Sequence, residues 1–277
     1  MIDIAISNCP NDTFVFDAWI HGKSTASVRP KVQFHDIQEL NHIAQKRQID
    51  VIKVSAFAYG RLTNHYKLLP TGAAIGPYGP KVIAKKPFHL DELSEKTVAV
   101  PGFDTTAYLL LKTLCPKVKQ CITSRYDTCL NLVESGQADA CVIIHETRFT
   151  YQLKGFVEIC DLGSLFYDRY RLPVPLGVVI IRNDCNYHDE TIDAMRNSLD
   201  FAKNNPDSAY DFMHKHSHEK DREVILAHKT AYVTAETYNI SKQGLQAIQT
   251  LLKLAQTHTL LEQEPLNFDE AFSLCNR

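Results

Sequence analysis

A histidine follows an apolar run near the middle of the chain. The stretch ADACVIIHETRFTY, residues 138–151, places His145 after the apolar residues 142–144 and before the polar residues HETR. The run predicts a buried strand, which would hold a side chain at its end rigidly. Because imidazole has a pKa of about 6.5 in water, neutral His145 can accept a proton near neutral pH. We expect His145 to act as a general base; the alternative is a core histidine whose hydrogen bonds are satisfied.

A predicted helix begins after the stretch PGFDTT, residues 101–106. The first N–H groups of a helix have no partner within the helix, and the helix dipole is positive at that end. Such an end binds a carboxylate or a phosphate, and we expect Thr105 and Thr106 to help hold one. The alternative is ordinary N-capping by Asp104 or Thr105, which needs no ligand.

Two further predicted strands also end in polar residues. Lys53 interrupts the apolar strand IDVIKVS, residues 49–55, and Ser55 ends it. A buried lysine needs a partner, so Lys53 is expected to meet an anion, unless it lies on an outward face with its stem on apolar surface. Asn11 and Asp12 follow the first strand, where they bind a ligand or form a cap or turn.

Strands alternate with helices over the first 180 residues, which predicts α/β lobes with parallel-rich sheets. IDIAISNCPNDTFVF resembles KTVAVPGFDTTAYLL, and KRQIDVIKVSAFAYGRL resembles ESGQADACVIIHETRFT, so the pattern repeats after about ninety residues. We predict two lobes, the first formed by residues 1–95 and 177–277 with the C-terminal helices, and the second by residues 96–176. Ligands in open α/β sheets bind beyond the carboxyl ends of the strands, which here would face a cleft between the lobes. The predicted strands are 2–7, 31–36, 49–55, 96–102, 118–123, 140–145 and 172–184, and the predicted helices before the C-terminal group are 11–22, 37–47, 56–66, 104–115 and 128–137.

Composition and charge argue against several classes of protein. The chain is 44% hydrophobic and 22% charged, with a net charge of −2 and interleaved signs, which argues against nucleic acid or an anionic membrane as the main partner, since either would call for a basic face. No apolar run reaches the 18 residues of a membrane span, and MIDIAIS lacks the features of a signal peptide. We therefore expect a cytoplasmic protein whose eight cysteines are reduced. The histidines of HKHSH, residues 214–218, lack the ligands that would complete a metal site, and no metal is expected.

Five stretches together resemble one family, the 1,4-dihydroxy-6-naphthoate synthases of the futalosine route to menaquinone. They are SNCPNDTFVFDAWIHG, IKVSAFAYG, AVPGFDTTAYLLL, CVIIHETRFTY and LPVPLGVVIIRND, and the resemblance extends from residue 3 to about 240.

The resemblance implies a two-lobed fold like that of type II periplasmic binding proteins. It implies a lyase that converts cyclic dehypoxanthine futalosine, an aromatic carboxylate with a ribose-derived ring, to 1,4-dihydroxy-6-naphthoate, without a cofactor. The family's proposed proton acceptor falls on His145. Its substrate-binding positions fall on Lys53, Val54, Ser55, Thr105 and Thr106.

Two other functions stay open at this point. The same fold would serve a small-carboxylate binding protein in the cytosol. It would also serve the chorismate dehydratase of the same pathway, whose cleft does not require His145. We expect a monomer or a homodimer, and the sequence does not distinguish between the two.

Overall fold

Two mixed β-sheets organise residues 1–262 and 266–276, which the computed structural model describes. Residues 263–265 and 277, which belong to the first predicted lobe, lie outside the described part of the chain. We call the part built on the first sheet lobe 1 and the part built on the second sheet lobe 2. The strands are β1 (Ile2–Ser7), β2 (Pro30–His35), β3 (Val51–Ser55), β4 (Tyr66–Leu68), β5 (Ala74–Gly76), β6 (Lys81–Ala84), β7 (Thr97–Val100), β8 (Gln120–Thr123), β9 (Ala140–Ile143), β10 (Val157–Asp161) and β11 (Val174–Arg182).

The first sheet has the order β2-β1-β3-β11-β4, and β5 pairs with β11. Strands β1, β2 and β3 are parallel, whereas β11 is antiparallel to β3. Because β3 is central in this sheet, all five of its residues are buried. This position of β3 places Lys53 inside the protein, which excludes the outward-facing alternative.

The second sheet has the order β10-β6-β9-β7-β8. Strand β7 is parallel to β8 and β9, whereas β6 is antiparallel to both β9 and β10. The lobe boundary predicted at residues 95 and 96 does not coincide with the division between the sheets, because β6 precedes that boundary and pairs within the second sheet. The chain thus enters lobe 2 between β5 and β6, and it returns to lobe 1 just before β11.

Helices surround both sheets, and several begin at a side-chain cap. Asp36 accepts the N–H groups of Gln38 and Glu39 at the start of α2. The segment predicted as a helix over 56–66 is helical only in its first part, since the chain turns into β4. The α-helices are α1 (Pro10–Ile20), α2 (Ile37–Gln45), α3 (Ala56–Tyr59), α4 (Thr106–Leu114), α5 (Cys129–Glu134), α6 (Thr147–Thr150), α7 (Leu162–Tyr170), α8 (His188–Asn204), α9 (Tyr210–His216), α10 (Arg222–Tyr232), α11 (Ala235–Tyr238), α12 (Lys242–Thr257) and α13 (Phe268–Ala271), and 3-10 turns cover Leu90–Glu95 and Tyr151–Lys154.

The largest apolar cluster crosses from one lobe to the other. It includes Ile52 and Val54 of β3 together with Leu110 of α4 and Val142 of β9. The C-terminal ends of β1, β3, β7 and β9 therefore meet around one region between the lobes. Across residues 1–262 and 266–276, no helix combines the length and apolar character that crossing a membrane would need.

Candidate active site

A cavity lies between the lobes. Its wall comes from the predicted strand ends of both lobes and from α10. The lining residues are Ser7, Asn11, Asp12, Ile37, Lys53, Ser55, Ala74, Gly79, Pro80, Thr105, Thr106, Ala107, Ile144, His145, Leu176, Gly177, His228 and Tyr232. The structure thus brings together all the candidate residues from the sequence except Val54.

His145 reaches this cavity from lobe 2, just after β9. Its backbone has φ of +56°, in the left-handed region that non-glycine residues seldom adopt and that is enriched at functional sites. The ring is half-buried: its Nδ1 lies 3.2 Å from Sγ of Cys9, and the edge of the Tyr126 ring packs on it at 4.7 Å between centroids. Burial lowers the pKa of His145 to about 4, so the imidazole is neutral at pH 7 and able to accept a proton.

The N-terminus of α1 faces His145 from lobe 1. Cys9 occupies the N-cap position in extended conformation, without a capping bond from its side chain, and Pro10 occupies the first turn, where the missing N–H costs nothing. Burial is the main cause that raises the pKa of the Cys9 thiol well above its usual value, so Cys9 is a neutral thiol. A neutral thiol both donates and accepts weak hydrogen bonds, so Cys9 is able to orient the imidazole without carrying charge.

Asp12 and Lys53 form an ion pair in the wall of the cavity. Their Oδ1 and Nζ atoms lie 2.9 Å apart, and both side chains are almost completely buried. Lys53 also donates to the carbonyl oxygen of Gly72 at 2.7 Å, and Asp12 accepts from the Ser7 hydroxyl at 2.6 Å and from the Asn11 amide at 2.9 Å. The anion that Lys53 was expected to meet is thus a carboxylate of the protein, and two of the three ammonium donors are already used.

Ser55 ends β3 at the cavity and is held by Asn41 of α2. The Asn41 amide donates to Ser55 Oγ at 3.0 Å, and its oxygen accepts the Ser55 N–H at 2.8 Å. Because Ser55 Oγ accepts from Asn41, its own hydroxyl proton is available to a ligand. Val54 differs from its neighbours: its side chain lies in the apolar core, and its backbone pairs with that of Val178.

Thr105 and Thr106 form the start of α4, as the sequence predicted. Thr105 caps the helix by accepting the Tyr108 N–H at 3.2 Å, and it donates to the Gly102 carbonyl at 2.7 Å. Thr106 Oγ1 donates to Leu176 and accepts from Phe57. The threonine hydroxyls therefore have partners in the protein. The first N–H groups of the helix, those of Thr106 and Ala107, have no intrahelical partner and remain for an anion in the cavity.

Three residues around His145 are missing from the sequence-based candidates: Cys9, Tyr126 and His228. The His228 ring stacks on the His145 ring at 5.8 Å between centroids, and its Nε2 lies 2.9 Å from Asn11 Oδ1. The sequence does contain a pattern that could have identified His228 as a buried residue, because Ile225, His228 and Tyr232 share one face of α10. Cys9 and Tyr126 carry no local signal, since they approach His145 only in the folded chain.

The lobes contact each other on two sides of the cavity. Asp104 of lobe 2 accepts from Gln38 at 2.9 Å and pairs with His42 at 3.2 Å and Arg61 at 3.3 Å. On the other side, Ser217 of lobe 1 donates to Glu146 of lobe 2 at 2.8 Å. These bonds hold the strand ends of the two lobes against one cavity.

The HKHSH segment makes aromatic contacts. His216 stacks on Phe34 at 4.2 Å, and the edge of the Tyr126 ring packs on His218 at 5.5 Å. Within the described ranges, we find no group of three or more histidine, cysteine or acidic side chains that could hold a metal ion. Those ranges contain all eight cysteines, and each is free.

Fold and cavity together define a two-lobed α/β protein with a cavity between its lobes. The crystal structure of the alkanesulfonate-binding protein of Xanthomonas axonopodis has this architecture, with a TM-score of 0.74, 13% identity and coverage of 97% of this chain and 96% of that one. At this identity the similarity shows the fold alone, which is periplasmic-binding-protein-like. A crystal structure of a protein from Archaeoglobus fulgidus is more similar, with a TM-score of 0.89, 35% identity and coverage of 94% of this chain and 98% of that one. The predicted fold class is confirmed.

The chain belongs to the menaquinone biosynthesis family, whose sequence model matches residues 2–257. It is 36% identical to the 1,4-dihydroxy-6-naphthoate synthase of Thermus thermophilus, over 95% of this chain and 96% of that protein. It is 34% identical to the enzyme of the same name from Streptomyces coelicolor, over 94% of each chain. The resemblance found in the sequence motifs is therefore confirmed.

Proposed function

We propose that the protein is a carbon–carbon lyase that forms 1,4-dihydroxy-6-naphthoate from cyclic dehypoxanthine futalosine, with His145 as the general base. One observation carries the proposal: the cavity sets a neutral imidazole from lobe 2 opposite the polar strand ends of lobe 1. The family and the two curated relatives support the same activity. The resemblance implies no metal or organic cofactor.

His145 carries out a single proton transfer in this reaction. His145 removes a hydroxyl proton from the sugar-derived part of the substrate, the O–H electrons form a carbonyl, and a carbon–carbon bond breaks. The electron pair of that bond enters the ring system, which becomes aromatic. We assign Nδ1–H as the donor to Cys9 Sγ, since Nδ1 is the nearer nitrogen at 3.2 Å against 3.7 Å for Nε2, and this tautomer leaves Nε2 unprotonated as the acceptor of the substrate proton. Positioned bases of this kind contribute about 10²- to 10⁴-fold to the rate.

The substrate carboxylate is best held at the start of α4. The N–H groups of Thr106 and Ala107 lack helical partners, and the Ser55 hydroxyl lies in the same cavity wall. Lys53 is less suited to this task, because its charge is neutralised by Asp12 at 2.9 Å. We therefore assign carboxylate binding to α4 and Ser55, and assign Lys53, Asp12 and Asn11 to the wall that faces the sugar-derived ring.

Incubation of the purified protein with candidate substrates tests this function. Cyclic dehypoxanthine futalosine should yield 1,4-dihydroxy-6-naphthoate, detected by its absorbance and mass. Chorismate should yield no enolpyruvyl product, although the dehydratase would form one. A protein that binds the futalosine derivative without converting it would instead be a binding protein, and the proposal would fail.

We also propose a cytoplasmic location, since the relatives are biosynthetic enzymes, and a monomer or homodimer as the active form. Cell fractionation and light scattering test these two statements. Recovery of the protein from the periplasm would favour a solute receptor.

A further inference from the structure

Arg148 is a largely buried arginine that the proposed reaction does not use. It lies on α6, three residues after His145, and its side chain is 10% exposed. One terminal nitrogen, Nη1, donates to the carbonyl of Gly79, and the other, Nη2, donates to Oδ2 of Asp161 at 2.6 Å. The guanidinium also lies over the Tyr78 ring, 5.2 Å from its centroid. The planar fork of the arginine thus holds two separate parts of the chain at once.

The first of these parts is the segment PYGP, residues 77–80, through which the chain passes from β5 in lobe 1 to β6 in lobe 2. We call it the crossing segment. Its Gly79 and Pro80 line the cavity. A Cβ atom on Gly79 would overlap the backbone of Gly163, so the crossing segment packs backbone against backbone on the start of α7. Arg148 therefore binds the crossing segment at a point where it has little room to shift.

The second part is the start of α7, where Asp161 ends β10 and caps the helix. Oδ1 of Asp161 accepts the N–H groups of Gly163 at 2.9 Å and of Ser164 at 3.1 Å. The pair with Arg148 uses the other oxygen, Oδ2, so capping and pairing do not compete. The Lys81 ammonium lies 3.8 Å from the same Oδ2. Asp161 is thus a fixed acceptor at the junction of a strand and a helix.

The turn that carries His145 needs an anchor of this kind. Strand β9 ends at Ile143, His145 has φ of +56°, and α6 is a single turn that begins at Thr147. Strained backbone persists only where its surroundings determine it. Within the turn, the N–H of Arg148 donates to the His145 carbonyl at 3.3 Å. Arg148 is therefore bonded to His145 through its backbone, and to the crossing segment and β10 through its side chain.

We propose that Arg148 is a positioning residue for the general base: its guanidinium fastens the His145 turn to the crossing segment and to the start of α7, and so sets the place of the imidazole in the cavity. This inference rests on the proposed function, since it takes His145 as the base. Arg148 is not among the residues that line the cavity, and both of its terminal nitrogens have acceptors in the protein. It is therefore placed to act through His145 rather than on the substrate.

Two substitutions remove the fork to different degrees. Arg148→Met keeps most of the apolar stem and removes the guanidinium. Asp161 then keeps its two N–H bonds from the start of α7, with the Lys81 ammonium nearby, so we expect this variant to fold. Arg148→Lys keeps a positive charge beside Asp161 but lacks the planar fork.

A double-mutant cycle with His145 separates a positioning role from a purely structural one. In single turnover at saturating cyclic dehypoxanthine futalosine, Arg148→Met should form product roughly 10- to 100-fold more slowly than wild type, because a displaced base loses its alignment. The steady-state KM should change little. In the His145→Ala background, the same substitution should alter the rate by less than about twofold, since no base remains to be positioned. Equal losses in the two backgrounds would overturn the proposal.

Arg148→Lys and a matched control complete the set. Arg148→Lys should also be slow, because an ammonium does not hold both acceptors in the geometry of the fork. Its rate decides the question if Arg148→Met unfolds, and a wild-type rate in the lysine variant would overturn the proposal.

Arg171 is the matched control. It follows α7, where the chain passes back to lobe 1, and it lies over the Tyr167 ring at 5.4 Å, but its side chain is 69% exposed and pairs with Asp168 on the surface. Arg171→Met should therefore keep the rate within about twofold of wild type. A control as slow as Arg148→Met would also count against the proposal.

The place of the imidazole has a readout that needs no turnover. In protein labelled with ¹³C-histidine, the Cε1–H signal of His145 is identified by its loss in His145→Ala. The ring packs against the rings of Tyr126 and His228, whose ring currents act on this signal, and it is neutral at pH 7 because burial lowers its pKa to about 4. The signal should therefore move in Arg148→Met and stay in place in Arg171→Met.

The two readouts distinguish failure of this inference from failure of the proposed function. An unmoved His145 signal in Arg148→Met would overturn the positioning role, whatever the rates are. If the wild type forms no naphthoate, the proposed function fails, while the signal still decides whether Arg148 sets the place of the ring.

Discussion

Replacing Lys53 by methionine distinguishes between two roles of this lysine, that of a structural ion-pair partner and that of a substrate ligand. Methionine keeps the unbranched stem of Lys53 and removes the ammonium that pairs with Asp12 at 2.9 Å. The side chains of Lys53 and Asp12 are 4% and 2% exposed. The variant therefore leaves a buried carboxylate without its counter-charge.

The expected loss of stability is large. Removing one partner of a buried ion pair costs about 3–5 kcal/mol, because the remaining charge is neither hydrated nor paired. Asp12 keeps its bonds from Ser7 and Asn11, so we expect a value near the lower end, about 3 kcal/mol. The carbonyl of Gly72 also loses its donor, and that loss is part of the same change.

Adding Asp12→Asn should recover part of this loss. Asparagine removes the unpaired charge and keeps an oxygen for Asn11, so the double variant should be about 1–2 kcal/mol more stable than Lys53→Met alone. Urea unfolding at pH 7 gives the three free energies of unfolding. Two results together would refute the structural role and make Lys53 a substrate ligand. They are a loss of unfolding free energy under about 1 kcal/mol in Lys53→Met and a large increase in its KM.

Three other predictions concern His145, Cys9 and Thr105. Because burial lowers the pKa of His145 to about 4, the acid limb of kcat/KM should lie near pH 4, and a limb near pH 6.5 would contradict this placement. Cys9→Ala should lower kcat about fivefold, the scale of a hydrogen bond worth about 1 kcal/mol, whereas Cys9→Ser should retain most activity; equal losses in both variants would exclude hydrogen bonding as the role of Cys9. Thr105→Val should destabilise the protein by about 1 kcal/mol through the lost cap of α4 and should raise KM more than it lowers kcat. An unchanged KM in that variant would argue against carboxylate binding at this helix.

The sequence predicts the strands that position the site better than it predicts the lobe boundary. Strands β1, β3, β7 and β9 lie in apolar runs that end in polar residues, so both their existence and their site-facing ends are visible. Strands β6 and β10 include charged residues, and they pair with partners far away in the chain. Segments of this composition have little periodicity of their own, and long-range pairing decides their structure.

Individual site residues are predictable, but their partners are not. Lys53 and Asp12 both stand out in the sequence, yet nothing in either segment indicates that they pair with each other. His228 is separated from Asn11 by more than two hundred residues, and only the packing of α10 against α1 brings them together. Pairing of this kind is a property of the tertiary fold, which local patterns do not encode.

The central claim is that His145 accepts the proton that starts the reaction. Its most direct test is single-turnover formation of 1,4-dihydroxy-6-naphthoate by His145→Ala and by wild type, at saturating cyclic dehypoxanthine futalosine. We predict that the variant folds, binds the substrate with similar affinity and forms product at least roughly 10²-fold more slowly. Product formation at the wild-type rate would show that another group accepts the proton and would contradict this account.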